Sequence, residues 1–130
     1  MREYGFIRRN VLTALARLDL VTEGVEAALV EAFADPYYEV RAEACRVAAH
    51  FGDRLARKDR IVAGVIGLLR DRTIEVAAAA AESLGSLGGA DDALPALLAM
   101  SQARFWKVRA AALKGVRTLV TRGQVHDYVA

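Results

Sequence analysis

One helical design is written several times along this chain, at DPYYEVRAEACRVAAHFG (35–52), DRTIEVAAAAAESLGSLG (71–88) and ARFWKVRAAALKGVRTLV (103–120). Aligned on Ile7, Val40, Val76 and Val108, the copies lie 33, 36 and 32 residues apart. The apolar positions keep step within each copy: Ile7, Val11, Leu15, Leu18; Val40, Ala44, Ala48, Phe51; Val76, Ala80, Leu84, Leu87; Val108, Ala112, Val116, Leu119. That spacing of i, i+4, i+8 and i+11 is one stripe of an α-helix. Segments of helical period lie between the copies, at 22–34 (Val25, Leu29, Ala32, Phe33), 58–70 (Ile61, Val65, Leu68, Leu69) and 92–101 (Leu94, Leu97, Leu98). A pair of antiparallel helices cannot bury its apolar faces alone, and stacked pairs can. The expected architecture is all-α: a right-handed α-solenoid of seven helices in one domain over 1–130. It comprises a lone helix at 6–19, pairs at 22–52, 58–88 and 92–121, and a tail at 122–130.

Composition agrees with stacked helices. Alanine supplies 26 positions and Phe, Tyr and Trp together supply 9, so helix propensity is high and helices can approach closely. Asp35 before Pro36 reads as a cap and first turn, Gly52 and Gly88 as helix ends, and Asp91 or Asp92 as a cap ahead of Pro95.

The pattern Asp-Pro-x-x-x-Val-Arg-x-x-Ala-x-x-Ala-x-x-x-Gly, carried by Asp35, Pro36, Val40, Arg41, Ala44 and Gly52, resembles HEAT repeats. The short period is similar to that of the phycobilisome-lyase-type subgroup. Tetratricopeptide and ankyrin repeats have similar periods, but their aromatic pattern and Thr-Pro-Leu-His box are missing. The resemblance implies a ladder of ion pairs between the Asp before an inner helix and the Arg after its anchor. On this reading Asp35 and Arg41 form a complete rung within one unit, Asp71 faces Ala77, and Arg109 faces Ala103. It also implies a non-catalytic protein-interaction or scaffold module that binds a protein on the concave face, formed by the second helices. The row there reads Phe6, Asn10, Thr13, Arg17; Glu39, Glu43, Arg46, His50; Glu75, Ala79, Glu82, Ser86; Lys107, Ala111, Lys114, Thr118. The candidate binding residues are Glu39, Glu43, Arg46, His50, Glu75, Glu82, Lys107 and Lys114, an acidic middle followed by a basic end.

Other function classes find less material. Two histidines and one cysteine make no catalytic or metal-ligating constellation, so no catalytic residue, metal or cofactor is expected. The His-Glu motifs of the HEAT-built iron hydroxylase that modifies deoxyhypusine are missing. A bilin-lyase-type subunit is allowed by the resemblance without a motif of its own. Cys45 aligns with Leu12, Ala81 and Leu113 and is read as packed and inert. A nucleic-acid-binding domain related to alkylpurine DNA glycosylases would use Arg104, Phe105, Trp106, Lys107, Arg109, Lys114 and Arg117. Glu39, Glu43, Glu75 and Glu82 on the same groove, and a net charge of +2, oppose it. Trp106 and Phe105 are read instead as packing at the start of the last helix, or as an anchor for a protein. IVAGVIGLL at 61–69 is too short to span a bilayer, and with a single cysteine and no signal peptide a cytoplasmic setting is expected.

The ends complete the expectations. Ile7, Val11, Leu15 and Leu18 are placed against the next unit, while Phe6 and Leu12 at one end and Leu113 and Val120 at the other lie near open ends, the last two covered only by Val125, Tyr128 and Val129. Such ends fit continuation into a longer solenoid or end-to-end self-association.

Overall fold

The computed structural model describes residues 4–124, and the expectations for Val125, Tyr128 and Val129 lie outside them. All seven expected helices are present: α1 (Gly5–Leu18), α2 (Glu23–Ala32), α3 (Tyr38–Phe51), α4 (Lys58–Gly67), α5 (Ile74–Leu87), α6 (Ala93–Met100) and α7 (Trp106–Thr121). Helices α1, α3, α5 and α7 lie side by side as an inner layer, and α2, α4 and α6 pack behind them as an outer layer. Between the layers runs one apolar core through Leu29, Val40, Ala44, Ala48, Phe51, Ile61, Val65, Val76, Ala80, Leu84, Leu97, Ala112 and Leu119. The chain is an all-α solenoid.

Two expectations about α1 are corrected. Leu12 is buried, not end-exposed, whereas Ile7, Val11 and Leu18 are exposed. In each repeat the anchored stripe faces the outer layer, and among the described residues no outer helix precedes α1. With Ala28 and Ala32, Ile7 and Val11 therefore line a groove of about 260 Å³.

The helix ends are built differently from a simple cap reading. Asp35 does not cap α3 itself: its Oδ1 accepts the Tyr37 N–H at 2.8 Å, and the helix begins at Tyr38. Asp71 accepts the Thr73 N–H in the same way, at 2.9 Å before α5. Asp92 turns back to the Gly89 N–H at 2.7 Å. Gly52 leaves α3 at φ +54°, where a Cβ would be strained, but Gly88 ends α5 in extended backbone. Two ends are closed by distant side chains. Buried Glu26 accepts the Ala56 and Arg57 N–H groups ahead of α4, and Arg122 donates to the Gly85 and Gly88 carbonyls at the end of α5.

The ion-pair ladder exists, offset by one repeat from the expected pairing. Arg8 holds Asp35 through Nε and Nη2 at 2.7 and 2.9 Å. Arg41 holds Asp71 at 2.9 and 3.0 Å, while its Nη1 rests on the Asp35 and Pro36 carbonyls. Each arginine thus reaches forward to the aspartate of the next unit. The reason is reach: the carboxylate lies in the loop that enters the next inner helix, beside the first turn of the preceding one. A third rung would join positions 77 and 103, and both are alanine, so charge is removed there in pairs.

These carboxylates tie stability to pH. The Arg8 guanidinium, against some desolvation and helped by the Tyr37 N–H, holds Asp35 below its ordinary value. Burial pushes Asp71 up, but the Arg41 guanidinium and the Thr73 N–H outweigh it and the net shift is downward. Arg54 and His50 bring the exposed Asp19 down to about 2. A folded value below the unfolded one, about 3.9, favours the ionised form in the fold. The stabilisation is complete above that value and is lost as pH falls through the depressed values. Circular dichroism across the acid range should show this loss, and Asp71→Asn should make the limb shallower.

Candidate functional site

The predicted row comes together on the open side of the inner layer, yet most of its charges are already engaged between repeats. Glu39 receives Arg9 at 3.1 Å and the Tyr37 hydroxyl. Glu43, largely buried, accepts the Thr13 hydroxyl at 2.5 Å and Arg46 at 3.3 Å. Glu82 pairs with Lys114 at 2.9 Å, and His50 Nε2 lies 2.9 Å from Asp19 Oδ1. Glu75 and Lys107 are exposed. An acidic middle followed by a basic end describes the sequence, whereas the surface is a set of bridged opposite charges. Bridges of this kind, half in solvent, hold neighbouring helices in register more than they add stability.

One interval escapes bridging. Thr13–Glu43 and Arg9–Glu39 join α1 to α3, and Lys114–Glu82 joins α5 to α7. Between α3 and α5 no side-chain bond crosses this face among the described residues, because Ala79 occupies the position that Glu43 holds in α3. A groove of about 250 Å³ results, lined by Arg46, Ala49, Ala79, Glu82, Ser83 and Ser86. Its floor is made of small residues, two alanines and two serines, and opposite charges stand on its two walls. The floor residues Ala49 and Ala79 and the two serines were legible only as small residues of a helix face. What makes them a groove is the gap they leave against the neighbouring helix.

The remaining candidates divide cleanly. Cys45 is fully buried and burial pushes its thiol up to about 12, so at neutral pH it is a protonated packing group. Trp106 and Phe105 do not pack at the start of α7: Trp106 is 66% exposed and Phe105 lies under the Arg104 guanidinium, also exposed. Leu113 and Val120 are exposed as expected. Among the described residues no group of three or more His, Cys, Asp or Glu side chains is placed to hold a metal ion, and no helix is long and apolar enough to cross a membrane.

No curated protein matches the chain. The family profile of HEAT repeats matches residues 25–117, from the first turn of α2 to the last turns of α7. This interval takes in all but the outermost residues of the three helix pairs α2–α3, α4–α5 and α6–α7. With the two-layer stack and the forward-reaching Arg–Asp rungs, that match places the chain in the HEAT-repeat family.

Proposed function

We propose that the domain is a non-catalytic protein-interaction module, and that a segment of its partner lies in the α3–α5 groove on the concave face. The supporting observation is that, among the described residues, no side-chain bond joins α3 to α5 on this face, whereas Thr13–Glu43 and Lys114–Glu82 join the neighbouring pairs. Its walls carry Arg46 and Glu82, whose charges suit a segment bearing both a carboxylate and an ammonium group. Ala49 and Ala79 leave room on the floor for backbone to approach. Glu43 and Glu39 act indirectly, by holding α1 against α3, and Glu75 and Lys107 extend the charged surface at the first turns of α5 and α7.

The test is capture from the native cell with the wild-type domain and with a variant carrying Arg46→Glu and Glu82→Lys. Both side chains are exposed, so the helical signal should be unchanged. A protein bound by the wild type should bind the variant about tenfold or more weakly, about 1.4 kcal/mol, at low salt. Equal binding by both would remove the groove from the proposal.

A further inference from the structure

Each inner helix of the stack has one side turned to the inner helix before it and one turned to the inner helix after it. Leu12, Cys45 and Ala81 occupy the same position on α1, α3 and α5, and each is buried in a helix that has the next inner helix packed beside it. Leu113 occupies that position on α7 and is 60% exposed. Trp106, Arg109, Leu113, Arg117 and Val120 recur at helical spacing along this side and are all exposed. Trp106 and Leu113 place two large apolar groups on one face, with Arg109 one turn from each.

Arg109 is more than a surface charge. Its Nη1 donates to the Ala103 and Arg104 carbonyls at 3.0 and 2.9 Å. These are the counterparts of the Asp35 and Pro36 carbonyls that position Arg41. In Arg41 the same anchorage aims Nε and Nη2 at the Asp71 carboxylate. In Arg109 those two donors have no partner among the described residues. The guanidinium is therefore held ready for a carboxylate by backbone contacts already made, which lowers the ordering cost of binding one.

Charge decides among the occupants. Helix α7 carries Lys107, Arg109, Lys114 and Arg117 and no acidic residue, and α1 carries Arg8, Arg9 and Arg17 and no acidic residue. A second copy stacked end to end would set a basic helix on a basic helix, which works against the self-association expected from exposed ends alone. We infer that the forward side of α7 is a docking surface for an acidic amphipathic helix of another protein. That helix begins with an Asp turn whose carboxylate seats on Arg109 while its apolar side covers Trp106 and Leu113. This surface is separate from the α3–α5 groove.

Trp106 is the sole tryptophan, so its emission reports on the surface directly. The probe is a synthetic peptide with the sequence of residues 71–88, the helix that seats on Arg41 within the fold, stapled on its solvent side to keep it helical. Titration into the whole domain should shift Trp106 emission to the blue. Replacing the first Asp of the peptide by Ala, or Arg109→Ala in the domain, should weaken binding by about tenfold or more. Leu113→Glu should abolish it, and Arg46→Glu should leave it unchanged. The proposal is overturned by an unchanged emission, or by equal affinity of the Asp and Ala peptides. It is overturned too if a short labelled nucleic-acid strand displaces the peptide with salt-sensitive affinity that survives Arg109→Ala. Binding that appears only after removal of residues 125–130 would make the chain's own tail the occupant, and a dimer in sedimentation lost on Leu113→Glu would make it a second copy.

Discussion

Asp71→Ala is expected to destabilise the domain by about 3–5 kcal/mol, the usual cost of leaving one member of a buried ion pair without its partner. Both side chains of the Arg41–Asp71 pair are almost fully withdrawn from solvent, at 5% and 7% exposure. The substitution strands the Arg41 guanidinium with only the Asp35 and Pro36 carbonyls and a long contact to the Thr73 hydroxyl. Removing both charges is a different matter. The fold itself carries the double replacement at the next rung, where Ala77 and Ala103 stand in place of Arg and Asp. Arg41→Ala combined with Asp71→Ala should therefore cost less than the sum of the single changes, with a coupling of about 1–3 kcal/mol. Urea unfolding of the four proteins measures this. Additive losses, or a loss below about 1 kcal/mol for Asp71→Ala, would mean that the pair contributes no more than a surface bridge.

Gly115→Leu should be the most damaging single change in the second half of the stack. A Cβ at Gly115 would sit 2.6 Å from the Ala81 carbonyl oxygen, and one at Gly85 would sit 2.6 Å from the Gly115 carbonyl oxygen. Helices α5 and α7 thus meet backbone to backbone, and a bulky side chain forces them apart along the buried Ala81, Ala111 and Ala112. Overpacking of this kind costs about 1–3 kcal/mol and more where backbone must move. Gly115→Ala is the informative companion. In a free helix alanine is more stable than glycine by about 1 kcal/mol, so a lowered melting temperature for this variant would assign the loss to the close approach. An unchanged or raised melting temperature would show that α7 shifts at little cost.

The number and order of the helices were legible because a stripe at i, i+4, i+8 and i+11 has one periodic solution, and four copies of it admit only a stacked one. The anchored positions of α3, α5 and α7 pack as that stripe requires, whereas those of α1 do not, since Ile7, Val11 and Leu18 stay exposed. A stripe says which residues want cover, and only a neighbouring outer helix supplies it. The reading of Leu12 failed for the converse reason: its cover comes from α3, a neighbour that its own local pattern does not specify.

The candidate residues could be listed from helical spacing, but which of them meet could not. Glu43 and Glu82 are alike in sequence, but one lies mostly buried against Thr13 and Arg46, and the other stands exposed beside Lys114. Arg41 and Asp35 belong to one repeat by spacing and to different rungs by geometry, because an arginine side chain is long enough to cross to the next loop. Glu26 and Arg122 each close a helix end about 30 or more residues away, and no local signal could have marked them.

By itself, then, the order of residues determined the helices, the apolar stripe each carries, their period and the family, since these depend on intervals of three and four residues within a helix and on one recurring length. The tertiary structure alone decided which charges meet, where a gap opens between α3 and α5, and that Arg109 is held in the posture of Arg41 without a carboxylate opposite it. Those outcomes depend on the separation and offset of neighbouring helices. That separation is set by whether Gly and Ala or larger side chains meet across each interface, a property of pairs of residues 30 or more positions apart.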